Sequence, residues 1–136
     1  MRRRALPALV ISCGLAAIAA GCGGSSAYTA AGTVKCLAGK GFKDVTTDPT
    51  KIGFIAGFAE NGGLRAKAPN GNVVTIAFAK DPAGAAGTEG AFAAHASKFY
   101  KHRMQDIMQS QRNAVLVWTT APTQAQLTLA LGCLAH

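Results

Sequence analysis

Leu64-Arg65-Ala66-Lys67-Ala68-Pro69-Asn70-Gly71-Asn72-Val73-Val74-Thr75-Ile76-Ala77-Phe78-Ala79 is the stretch from which the fold is read. Two extended runs, 64–68 and 73–79, flank a Pro-Asn-Gly-Asn turn. Asn-Gly between such runs is the strongest short-range hairpin signal, because a type I′ turn takes positive φ at both central residues. The second run is nearly all apolar, so it is expected to be a central strand covered on both faces or sealed by a helix layer. N-terminal to the hairpin, Asp48-Pro49 starts a helix, a capping Asp followed by Pro in the first turn, and Asn61-Gly62-Gly63 stops it. Ile52, Ile55 and Ala59 share one face of that helix, with Phe58 beside them. Phe42 to Thr46 is a short β-prone run. Ahead of it, 28–40 carries Ala30, Val34, Leu37 and Ala38 at helical spacing, with Thr29 as N-cap and Gly39 and Gly41 as stops.

C-terminal to the hairpin, 81–90 reads as a Gly/Ala loop. A long helix is expected from about Glu89, with Phe92, Ala96, Phe99 and Arg103 on one stripe and Met104, Ile107 and Met108 extending it. Ala114 to Trp118 is an apolar strand. Thr120 to Pro122 opens a last helix with Leu127, Leu131 and Leu134 inward. The middle therefore reads β-α-β-β-α-β, an α+β two-layer sandwich of the ferredoxin-like kind with an extra helix at each terminus. In that arrangement the strand 114–118 lies at a sheet edge. Bare apolar edges invite aggregation, so the C-terminal helix would have to cover it.

The N-terminus is an address. Arg2, Arg3 and Arg4 precede an uncharged, mostly apolar run from Ala5 to Ala20, the anatomy of a secretory signal, and the run is short for a membrane span. Ile18-Ala19-Ala20-Gly21-Cys22 resembles the lipobox of bacterial lipoproteins, which implies acylation of Cys22 and a lipid-bilayer anchor. A cut after Ala17-Ile18-Ala19, giving a plain secreted protein, is the alternative. The resemblance divides the chain into a signal peptide (1–21), a lipidated cysteine and flexible tether (22–28) and a single domain (29–136). The tether, containing Gly23-Gly24-Ser25-Ser26, would reach roughly 15 Å as a Gly/Ser coil. With Cys13 lost and Cys22 acylated, Cys36 and Cys133 remain, an even pair in an oxidising compartment. A disulfide between the two extra helices is the expectation.

Composition bounds the function. The 136 residues hold 14 Lys+Arg against 6 Asp+Glu, are 49% hydrophobic and are only 15% charged. That is one domain able to bury a core. Removing the signal arginines takes the net charge from +8 to +5 (11 Lys+Arg minus 6 Asp+Glu), which gives no support to nucleic-acid binding. The glycines of 83–90 lack both Gly-Lys-Ser/Thr and GxGxxG, so a phosphate loop is not indicated. The six carboxylates form no obvious acid–base pair, no serine stands in Gly-x-Ser-x-Gly, and neither remaining cysteine belongs to a CxxC.

Two clusters carry candidate chemistry. Lys98, Lys101, His102 and Arg103, with Tyr100 among them, form the local basic cluster, a contact for anionic lipid or cell-wall polymer. His95 and His102 lie seven residues apart, roughly 10.5 Å along a helix, so a metal site would need a distant third ligand such as His136, or a carboxylate such as Asp106 joining the two histidines. The expectation is an extracytoplasmic membrane-anchored lipoprotein with a small non-enzymatic binding or scaffolding domain and no cofactor. The alternatives are a small-ligand or peptide binder, using the sheet face or the edge beside 64–68, and a metal-dependent envelope protein using His95 and His102.

Overall fold

The computed structural model describes residues 26–136. The signal-like segment and Cys22 lie outside them. In chain order the elements are α1 (Ala30–Gly39), β1 (Lys43–Thr46), α2 (Pro49–Ile52), α3 (Phe54–Gly57), β2 (Gly63–Lys67), β3 (Val73–Phe78), α4 (Pro82–His95), α5 (Lys98–Lys101), α6 (Met104–Ile107), β4 (Met108–Gln111), β5 (Ala114–Trp118) and α7 (Gln124–Gly132).

The hairpin forms where the sequence places it, with Leu64 opposite Ile76 and Lys67 opposite Val73. Its turn differs from the expected type I′. The Gly71 N–H donates to Ala68 O at 2.8 Å and the Ala68 N–H to Asn72 O at 2.7 Å, and Gly71 alone in the turn has positive φ. Pro69 explains the difference. Its ring fixes φ near −65°, suited to the first central position of a type I turn, and Gly71 then takes the left-handed position of a bulge.

The sheet has five antiparallel strands in the order β1-β2-β3-β5-β4. This corrects the ferredoxin-like arrangement. β5 pairs with both β3 and β4, so the apolar run 114–118 is internal and needs no helix to cover an edge. The chain supplies that cover with β4, from residues whose spacing had suggested a helix continuing through Met108. β2 is also internal, flanked by β1 and β3, so the edge beside 64–68 is not open to an added strand. The exposed edge at β1 is irregular, with Asp44 at φ 52° and a register shift between Lys43 and Thr46. Such irregularity discourages edge-to-edge pairing.

Helices cover both faces, making three layers where two were expected. Val74, Ile76 and Phe78 of β3 and Ala114, Leu116 and Trp118 of β5 share one core with Leu37 of α1 and Ala130 and Cys133 of α7. On the opposite face Ala77 packs with Ile52 and Ala56, and Val115 with Ala85 of α4. An all-apolar central strand is what a sheet covered on both sides requires. Cys36 and Cys133 form a disulfide that joins α1 to α7 across a sequence separation of 97.

Local signals account for most helix ends. Thr29 accepts from the Gly32 N–H at 3.1 Å and caps α1, and Asp48 accepts from the Thr50 N–H at 3.0 Å and caps α2. Thr123 and Gln126 form a capping box on α7, whose most buried positions are Gln126 and Ala130; Leu127 and Leu131 are only half-buried. Gly53, at φ 87°, divides the expected single helix after Asp48 into the two turns α2 and α3. The segment read as a Gly/Ala loop is helical: Asp81 caps α4 through the Gly84 N–H at 2.7 Å, Pro82 fills the first turn, and alanines outweigh the glycines. α4 ends at His95, where Ala96 turns extended. The turn brings Met104 and Ile107 against Trp118.

Candidate functional site

The α4 face of the sheet is incompletely filled. α4 is built from alanine and glycine, and only Ala85 of the helix is buried. Short side chains on a helix leave room that a leucine-rich helix would fill. Phe92 lines part of that space, and α4 ends at His95 on the groove's border. The result is an apolar groove of about 300 Å³. Its floor is Thr75 and Val117, Trp118 and Thr119 border it at the end of β5, and its walls are Ile55, Phe92, Tyr100, Met104 and Ile107. A second trough of about 350 Å³ beside α3 shares Ile55, Phe92 and His95 with it. The two volumes lie at the lower end of the range of small-molecule sites.

Large apolar side chains stand exposed along this side. Phe54, which lines the second trough, is 80% exposed and Phe58 is 76% exposed, their rings 4.8 Å apart. Phe99, 66% exposed, sits edge-on to Tyr100 at 5.1 Å. The lining carries few polar groups, namely those of Thr75 on the floor and of His95, Ser97, Tyr100 and Thr119 around it. Trp118 is 1% exposed, and its indole Nε1 has no hydrogen-bond partner. Leaving a buried donor unpaired costs about 1–3 kcal/mol.

The basic cluster forms the turn that walls this groove. Lys98 and Lys101 belong to α5 and are exposed, as is His102 after it. The Arg103 guanidinium lies over the Phe99 ring at 5.7 Å. Among the described residues the sole ion pair joins Lys51 to Asp48, so neither Lys98, Lys101 nor Arg103 is neutralised by a carboxylate.

The opposite end of the sheet is polar and filled. Asn113, buried between β4 and β5, accepts from the Tyr28 N–H at 2.8 Å and donates to Tyr28 O at 2.9 Å and Ala79 O at 2.7 Å. Arg112 donates to Ser26 O at 2.8 Å and stacks on the Tyr28 ring at 4.5 Å. The His136 ring lies against the other part of this clamp, 5.5 Å from Tyr28. Gln111, which donates to the Tyr28 hydroxyl, and then Arg112 hold that phenol below the usual tyrosine range. The chain therefore enters the domain at the Asn113 end. The basic turn lies at the Thr119 end, about one strand away, roughly 17 Å over five residues.

This placement removes the geometric basis of the metal reading. His95 ends α4 and His102 follows α5, so the two do not share a helix face, and His136 lies at the far end of the sheet. Among the described residues no three His, Cys, Asp or Glu side chains come together as a metal site. Nor, among them, is any helix long and apolar enough to cross a membrane.

No family model, curated protein or solved structure matches this chain. The groove is thus read from its own chemistry. Sequence reasoning singled out the basic turn and His95 but missed Ile55, Phe92, Tyr100, Met104 and Val117 as one lining. The available signal was the alanine-rich stripe of 83–96 facing a strand of β-branched residues, a pairing too small in volume to close.

Proposed function

We propose that the chain is an extracytoplasmic lipoprotein, anchored through acylated Cys22, whose domain 29–136 is a non-enzymatic module that binds a small apolar ligand. The apolar groove between the sheet and α3, α4 and α5 carries this reading. A volume of a few hundred cubic ångströms, an apolar lining and a handful of polar atoms are the ordinary features of such a site. The Cys36–Cys133 disulfide suits an oxidising compartment, and the arginine-led apolar segment with its lipobox-like end supplies the route there. Ser97 and His95 both line the groove, but no hydrogen bond joins them as a nucleophile and its base.

Two measurements test the two halves of the reading. Intact mass of the protein from its host's membrane fraction should fit residues 22–136 plus diacylglycerol and rise by about two hydrogens on reduction of one disulfide. An unmodified mass would replace the anchor with plain secretion. For the groove, the full chain carrying Cys22→Ser, exported so that the disulfide forms, is titrated with a neutral fluorescent naphthylamine. Saturable binding lost in Ala96→Phe is expected; no saturable binding in the parent would leave scaffolding as the function.

A further inference from the structure

We infer that the ligand is an anionic amphiphile: a single acyl-type chain lying in the groove, with its negatively charged head on the Lys98–Lys101 turn. The inference rests on the groove-binding reading above and adds the chemical class. Two observations meet at α5. One side of this turn, Ser97 and Tyr100, lines the apolar groove. Its other residues, Lys98 and Lys101, are exposed and followed by His102. Those charges have no carboxylate partner: Asp106, the acidic residue closest in sequence, makes no ion pair, and no acidic side chain lines either trough.

An apolar trough walled by a turn that also carries unneutralised cations is complementary to one kind of molecule. The chain of an amphiphile displaces water from Ile55, Phe92, Tyr100, Met104 and Val117. Its anionic head remains in solvent beside two ammonium groups, where both stay hydrated and no desolvation cost arises. A cationic head would meet like charge. A peptide fits less well, because its backbone amides need partners and the lining is apolar apart from those few polar groups.

Binding is followed by isothermal titration calorimetry, which needs no label. The full chain with Cys22→Ser is titrated with decanoate, decanol and decyltrimethylammonium, the two ions below their micelle concentrations and decanol below its solubility limit. These share one chain and differ in head charge. Decanoate is expected to bind roughly fivefold tighter than decanol, the scale of a pair of exposed ionic contacts, with the cation weakest. Lys98→Gln with Lys101→Gln should bring decanoate to the decanol value and leave decanol itself unchanged. Equal binding of decanoate and decanol by the parent overturns the head-group assignment while keeping the groove. A decanoate preference that survives the double substitution also overturns it, since the charge then acts from elsewhere. Failure of all three to bind overturns the groove reading with it.

Discussion

The two faces of the sheet are made of the same strands and covered in opposite ways. Against α1 and α7, large side chains interlock: Leu37, Leu64, Ile76, Leu116, Phe78 and Trp118 are all fully buried, and a disulfide fastens the two helices. Against α2, α3 and α4, the buried side chains are fewer and smaller, chiefly Ala56, Ala77, Ala79 and Ala85 with Ile52 and Val115, and the space left over is the groove. One face holds the fold and the other is free to hold something else. Ligand sites are often lined by the less completely packed part of a fold, because a pocket is packing deferred.

That contrast can be broken most forcefully at the disulfide. Cys36→Ser with Cys133→Ser opens a closed loop of 98 residues (133 − 36 + 1), and should cost about 2–5 kcal/mol in urea unfolding. Groove occupancy at low temperature should persist in the variant while it stays folded. Next in size, Leu37→Ala on the filled face should cost about 2–5 kcal/mol by the same measurement, a cavity plus lost burial. The exposed Phe54→Ala and Phe99→Ala should fall within about 0.5 kcal/mol. If the phenylalanines cost as much as Leu37, the two faces do not differ as described.

Gly63 sharpens the comparison from within the groove side. A Cβ there would collide with the backbone carbonyl of Ala56, so α3 lies on β2 only because position 63 is glycine. Gly63→Ala should destabilise by about 1–3 kcal/mol through overpacking. By displacing α3 it should also weaken probe binding beside Ile55, which a substitution on the α1 face should not do.

The smallest effect is the pH dependence at the cap of α2. The Thr50 hydroxyl, then the Thr50 N–H, and finally nearby Lys51 hold the Asp48 carboxyl below its usual value. A pKa lower in the folded than in the unfolded chain means that its stabilisation is present above the unfolded value near 3.9 and is lost as pH falls toward the folded one. Asp48→Asn should flatten that acid limb of the stability profile and leave neutral pH nearly unchanged. An acid limb identical in both proteins would rule out this role.

What the sequence disclosed followed from local chemistry. The hairpin 64–79, the caps at Thr29 and Asp48, and the pairing of Cys36 with Cys133 were all legible, because each rests on a few adjacent residues or on parity. The strand order was not legible. Met104 to Gln111 holds no Gly or Pro to mark where helix gives way to β4, and only the tertiary need to cover β5 decides it. The basic turn at 98–103 was visible as charge. That Ser97 and Tyr100 line the groove with Phe92 was not, since the break at Ala96 that places them has no sequence signal. The clamp of Asn113 on Tyr28 joins residues 85 apart, a distance at which composition says nothing.

The central claim is that the groove beside α4 and α5 takes the ligand, while the interlocked core between the sheet, α1 and α7 does not. Methyl resonances of the Cys22→Ser chain, followed by NMR during addition of decanoate, test it most directly. The account predicts shifts confined to Ile55, Met104, Ile107 and Val117, while Leu37, Leu64 and Val74 stay in place. Shifts spread evenly over both sets, or confined to the α1 face, would contradict it.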